Sequence, residues 1–202
     1  MENRWIKAAT ILQPTIEVCG KRLLPFCLRH RVALEAIDSP LLNLDKAVSP
    51  GELIASIRIL STHNIEDIRK PTSWSEIWWS FRLSRNRQLL IDECYKLSVY
   101  MMEQSLWPRF WVNEESESKS SSVPWQLTMV ASLMRNGCTL EQAWTMPESE
   151  AVWLHIAHCS AAGSKIQIVS DVEWKAMETY KKKQAEKKDK PASRMNPEPS
   201  QN

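Results

Sequence analysis

Four times along this chain a Ser or Thr stands three residues ahead of a Glu or Gln at the head of an apolar run. The stretches are "SPGELIASIRIL" from Ser49, "SWSEIWWSF" from Ser73, "TLEQAW" from Thr139 and "SDVEWKAM" from Ser170. In such a capping box the hydroxyl accepts from the N–H three residues on, and the acid or amide side chain returns to the cap's own N–H. Two donors that a helix start leaves without partners are thereby satisfied. Four helix starts are set before any propensity is counted. Pro50 suits the first helical position of the first of them. Behind the boxes, Leu53, Ile54, Ile57 and Leu60 form one apolar stripe and Trp74, Ile77, Trp78 and Phe81 another, and both are expected to face inward. Only four Gly occur among 202 residues, which removes the commonest helix breaker from most of the chain.

The remaining segments extend this helical pattern. "TIEVCGKRLLPF" reads as a β-hairpin, with Ile16 and Val18 alternating, a turn at Cys19-Gly20-Lys21, and Leu24 and Phe26 on one face. Pro25 confines its second strand to an edge. "LRHRVALEAIDSP" is a short helix on Val32, Ala33, Ala36 and Ile37, stopped at Ser39-Pro40. A further helix carries Leu90, Cys94, Leu97 and Met101 and ends before Pro108. "NEESESKSSS", residues 113–122, is too polar to bury a core and reads as a linker. "VPWQLTMVASLMRNG" is a helix between Pro124 and Asn136-Gly137, Pro147 opens another that closes at Gly163, and "KIQIV" is a strand candidate. Residues 181–202, rich in Lys, read as a disordered tail. The expected fold is α+β and mainly α-helical: a small N-terminal hairpin with helices over residues 1–112, then a compact helical part over 123–180.

Composition closes several functional classes. Hydrophobic residues make up 43% and charged residues 25%, a globular balance. The net charge of +2 implies neither a nucleic-acid nor a membrane partner. No stretch approaches the roughly 18–20 apolar residues of a membrane span, and the N-terminal segment lacks the apolar run of a signal peptide. The five Cys, at 19, 27, 94, 138 and 159, form no CxxC pair, so free thiols in a reducing cytoplasm are expected. GxSxG, HExxH and a Gly-rich phosphate loop are all missing, which points away from an enzyme. No cofactor is expected.

Residues 137–163, "GCTLEQAWTMPESEAVWLHIAHCSAAG", concentrate the remaining chemistry. His155, His158 and Cys159 share one helix face, but a structural zinc needs four ligands and only Cys138 is near, so no metal site is expected and the purified protein is expected to carry no stoichiometric zinc. Three successive short helices resemble a helix-turn-helix. Between Val123 and Gly163, however, Arg135 is the only Lys or Arg, against Glu141, Glu148 and Glu150, a poor balance for neutralising phosphates. The third reading is a protein interface. Trp combines large apolar area with few rotors, and Met adapts to irregular surfaces. The candidate contact residues are Trp125, Met129, Leu133, Trp144, Met146, Trp153 and Ile156.

The run from Glu141 to Trp144, then Met146-Pro147, the helix through Ala151 to Ala157, Gly163, Ile166 to Val169 and the Ser170–Glu173 box resembles the tail assembly chaperones of long-tailed bacteriophages. "KRLLPFCLRHRVALEAIDSPLL" is similar to the front part of such proteins, and the resemblance spans most of residues 15–178. It implies a non-catalytic protein of the host cytoplasm that binds the helical tape measure protein, keeps it soluble and helps recruit tail tube subunits. Self-association is a further expectation. The alternative from the residues alone is a small helical DNA- or regulator-binding module of phage or prophage origin.

Overall fold

A computed structural model describes residues 3–9, 16–42, 46–110, 123–164 and 168–188. The fold is mainly α-helical with a small N-terminal antiparallel hairpin. The hairpin pairs β1 (Glu17–Val18) with β2 (Lys21–Arg22) through a two-residue turn at Cys19 and Gly20. Both turn residues have positive φ, 48° and 70°, the left-handed turn that matches strand twist. Lys21 therefore belongs to the second strand rather than to the turn, and Leu24 and Phe26 lie beyond it. Helix α2 (Leu28–Ala36) follows, then α3 (Pro50–Leu60), α4 (Ile65–Arg69), α5 (Trp74–Arg85) and α6 (Arg87–Gln104).

The segment after the hairpin has little regular structure of its own, and α6 supplies what its backbone lacks. Cys19 N–H donates to the Glu93 carboxylate at 2.6 Å, Tyr100 Oη donates to the Leu24 carbonyl at 2.7 Å, and Phe26 N–H donates to Gln104 Oε1 at 3.1 Å. Positions 93, 97, 100 and 104 recur at helical spacing, so one buried face of α6 holds the strand-like segment along its length. Val18, Leu23, Phe26 and Leu34 meet the α3 stripe, Leu83 and Leu97 in the first core.

Short strand β3 (Arg109–Phe110) pairs antiparallel with β4 (Ile168–Val169), the described part of the "KIQIV" strand candidate; residues 165–167 lie outside the described residues. Between them run α7 (Trp125–Arg135), α8 (Leu140–Thr145) and α9 (Glu148–Ala161); α10 (Asp171–Lys188) closes the described chain. Gly137 and Gly163 adopt the left-handed conformation beyond α7 and α9, where the sequence placed helix ends. Met129, Val130, Leu133, Ala143, Ala151, Val152 and Ile156 build a second core, and Leu28 of α2 is buried in it.

All four capping boxes form: hydroxyl and backbone bonds are both in place at Ser49, Ser73, Thr139 and Ser170. The α5 stripe turns the other way from expectation, and most of the spaced apolar positions of α2 face outward. In α2 it is Leu28, His30 and Leu34 that are buried, while Val32, Ala36 and Ile37 are exposed. In α5 the buried residues are Glu76 and Leu83, and the Trp-bearing stripe faces outward. Two short helices had no strong sequence signal. Helix α1 (Asn3–Ala9) buries Ala8 and packs on α9, and α4 begins at the Asn64 cap. The Lys-rich segment after Tyr180 is helical through Lys188; residues 189–202 of the expected tail and the linker 113–122 lie outside the described residues.

Candidate partner-binding surface

Helix α5 is oriented by its polar anchor rather than by its largest apolar residues. Glu76 accepts from Arg58 Nε at 2.9 Å, from Lys21 Nζ at 2.7 Å and from Ser73 N–H at 2.8 Å, so one carboxylate ties α5 to α3 and to the hairpin. Burial by itself would raise the Glu76 pKa; the bonds from Arg58, Lys21 and Ser73 outweigh it and bring it down to about 2. Leu83 enters the first core, and the Trp79 ring lies over Gly20 of the hairpin turn. With that side inward, Trp74, Ile77, Trp78 and Phe81 are 86, 48, 54 and 55% exposed. They stand at i, i+3, i+4 and i+7, a single continuous stripe.

The stripe has a cationic end. The Arg82 guanidinium sits 5.1 Å from the Trp78 ring centre and 5.2 Å from that of Trp79, and Arg85 lies 4.2 Å from Phe81. Ile77 and Phe81 also form one wall of an open groove of about 500 Å³ whose other wall is Ile54, Ala55 and Arg58 of α3. A second open groove, about 450 Å³, lies among α2, α3 and α4, lined by Val32, Ala33, Ile37, Ile59, Ile65 and Ile68. The outward stripe of α2 faces into it, and Trp144 borders it. Apolar stripes beside grooves of this width suit an amphipathic helix laid along them, with acidic side chains reaching Arg82 and Arg85.

The residues singled out in the sequence divide by burial. Met129, Leu133 and Ile156 are buried in the second core, where they support the fold and offer no surface. Their periodicity is that of a core stripe, and α7, α8 and α9 close over it. Trp144 and Met146 pack half-buried against the same core. Trp153 is also half-buried, its Nε1–H donating to the Leu106 carbonyl at 2.9 Å. Trp125 keeps an exposed edge and meets Trp107 edge to face. Between these two rings and Phe26 sits the Arg31 guanidinium, which also holds buried Glu148 by two hydrogen bonds of 2.5 and 2.7 Å. Trp144, Met146 and Trp153 of residues 137–163 therefore form a fold-specifying corner, and a continuous exposed apolar stripe lies on α5.

Metal-type donors converge elsewhere than in residues 137–163. His155 Nδ1 meets Ser132 Oγ at 2.8 Å and its Nε2 meets Cys159 Sγ at 3.6 Å, a pair with no third donor among the described residues. Cys27, His30 and His63, by contrast, bring one donor atom each to within 4.8 Å of one another. Burial pushes the His30 pKa down to about 4, against the opposing pull of the Thr62 and Pro25 carbonyls. Burial and the Arg29 charge lower His63 as well, so both rings are neutral at pH 7. The sequence signal for this trio was the Cys-x-x-His spacing of "CLRH"; nothing local connects it to His63. No helix of the described residues is long and apolar enough to cross a membrane. No family model, curated protein or solved structure matches the chain.

Proposed function

We propose that this chain is a tail assembly chaperone of a long-tailed phage that binds the tape measure protein in the host cytoplasm, keeps it soluble and helps tail tube subunits assemble around it. The observation that carries this reading is the exposed stripe Trp74, Ile77, Trp78 and Phe81 on a helix whose orientation is held by buried ion pairs. A folded protein that leaves four large apolar side chains in one row on a rigid helix presents a surface suited to another apolar stripe. A long helical tape measure protein would expose such stripes before the tube encloses it. The resemblance through residues 141–173 supports the same family. The proposed activity is binding and involves no bond-making step.

The test is co-expression with the tape measure protein encoded beside this chain. Expressed alone, the tape measure protein should collect in the insoluble fraction; with this chain present, it should be recovered soluble and in complex. A tape measure protein equally soluble without the chain, or never recovered with it, would overturn the reading.

A further inference from the structure

Two imidazole nitrogens, His30 Nδ1 and His63 Nε2, are buried without a hydrogen-bond partner. His30 is entirely enclosed. Unpartnered polar atoms at this depth are rare in native proteins because their desolvation is not repaid by a hydrogen bond. The same two rings share a cluster with a third donor. Cys27 Sγ and one nitrogen from each ring lie within 4.8 Å of one another, and the His30 and His63 ring centres are 5.1 Å apart.

We propose that Cys27, His30 and His63 form a binding site for zinc or a similar borderline transition-metal ion. The donors are neutral imidazoles and a Cys27 thiol that burial pushes up to about 11, so the ion must displace its proton to gain the thiolate such ions prefer. A tetrahedral zinc holds its ligand atoms roughly 3.3–3.6 Å apart, so donors up to 4.8 Å apart close by as much as about 1.5 Å on binding. The tautomer is prepared. His30 Nε2 contacts the Thr62 carbonyl at 3.0 Å; with Nε2–H donating there, the Nδ1 lone pair is the free one. The same α3–α4 turn carries His63, whose carbonyl accepts from Arg29 Nη1 at 2.7 Å. Both nearby guanidinium charges are already matched, Arg29 by Glu141 and Arg31 by Glu148. Cys27 binds as the thiolate, its proton leaving to solvent, and the fourth position is left to water. Since Cys27 and His30 stand at the start of α2 and His63 beyond α3, the ion would staple the two helices together.

The experiment uses the full chain stripped with a chelator. Zinc is titrated in competition with a chromophoric chelator, and cobalt serves as the spectroscopic probe. Wild type should bind one ion per chain, melt higher with zinc, and show a thiolate-to-cobalt charge-transfer band. Cys27→Ala should lose the band. Cys27→Ala and His63→Asn should each weaken zinc by at least the 10–100-fold that loss of an outer partner costs. Cys138→Ala and Cys159→Ala should leave affinity and band unchanged. His63 is only half-buried, so its variant remains informative if Cys27→Ala folds poorly. No stoichiometric binding by the folded wild type, binding that survives in His63→Asn, or equal losses in the two control variants would each overturn the site.

Discussion

The Glu76 carboxylate is asked to cap its own helix and to hold two cations from other elements, and its protonation is therefore a stability variable. Its folded pKa lies near 2, well under the ordinary 4.5. A carboxylate depressed on folding stabilises the protein fully above its unfolded value, and that contribution fades as pH falls through the folded one. The window is thus pH 4.5 down to 2. Glu76→Gln should cost about 3 kcal/mol at pH 7, because Arg58 and Lys21 lose the buried partner that balances them. The difference in melting temperature between wild type and variant should shrink across that window. A difference that stays constant from pH 7 to pH 2 would remove the carboxylate from the account. The same residue shows what was legible at this scale. The capping role of Glu76 was readable because its partner is Ser73, three residues away. Its ionic role was not, because Arg58 and Lys21 lie 18 and 55 residues off.

At the scale of elements, where helices start was readable and which way they turn was not. A hydrophobic stripe at a 3.6-residue period names a face of a helix without naming what covers it. In α3 the stripe of Leu53, Ile54, Ile57 and Leu60 is buried as expected. In α5 the stripe of larger residues is outward, since Glu76 and Leu83 claim the inner side. In α2 the expected stripe lines a groove, and Leu28, His30 and Leu34 are inside. Contact between α2 and α9 runs through Arg31 and Glu148. Arg31→Met leaves a buried carboxylate with no cation and should cost about 3–5 kcal/mol in thermal or denaturant unfolding. Adding Glu148→Met should recover most of that loss, since an apolar pair of similar volume needs no charge compensation. A double variant no more stable than the single one would show that the pair does more than neutralise itself.

Across the whole molecule, two cores meet along α2, with Leu28 in one and Leu34 in the other. The Trp and Met of residues 125–153 were attractive contact candidates in sequence because core and interface residues share chemistry. Burial separates most of them: Met129 lies in the second core with Trp144 and Met146 packed against it, whereas Trp125 and Met134, like the α5 stripe, are exposed. A hairpin, helix caps and end glycines were all written locally, whereas the exposed stripe and the Cys27–His30–His63 trio arise only when distant segments pack. The central claim is that the α5 stripe grips a partner and does little for stability. It is tested most directly by co-expressing the tape measure protein with the Trp78→Ser, Phe81→Ser double variant and measuring soluble complex and melting temperature on the same protein. Interface anchors typically cost about 2 kcal/mol or more each when truncated, and exposed side chains cost about 0.5 kcal/mol or less in folding. The melting temperature should stay close to wild type while complex falls about tenfold or more; undiminished complex from a normally folded variant would overturn the role given to α5.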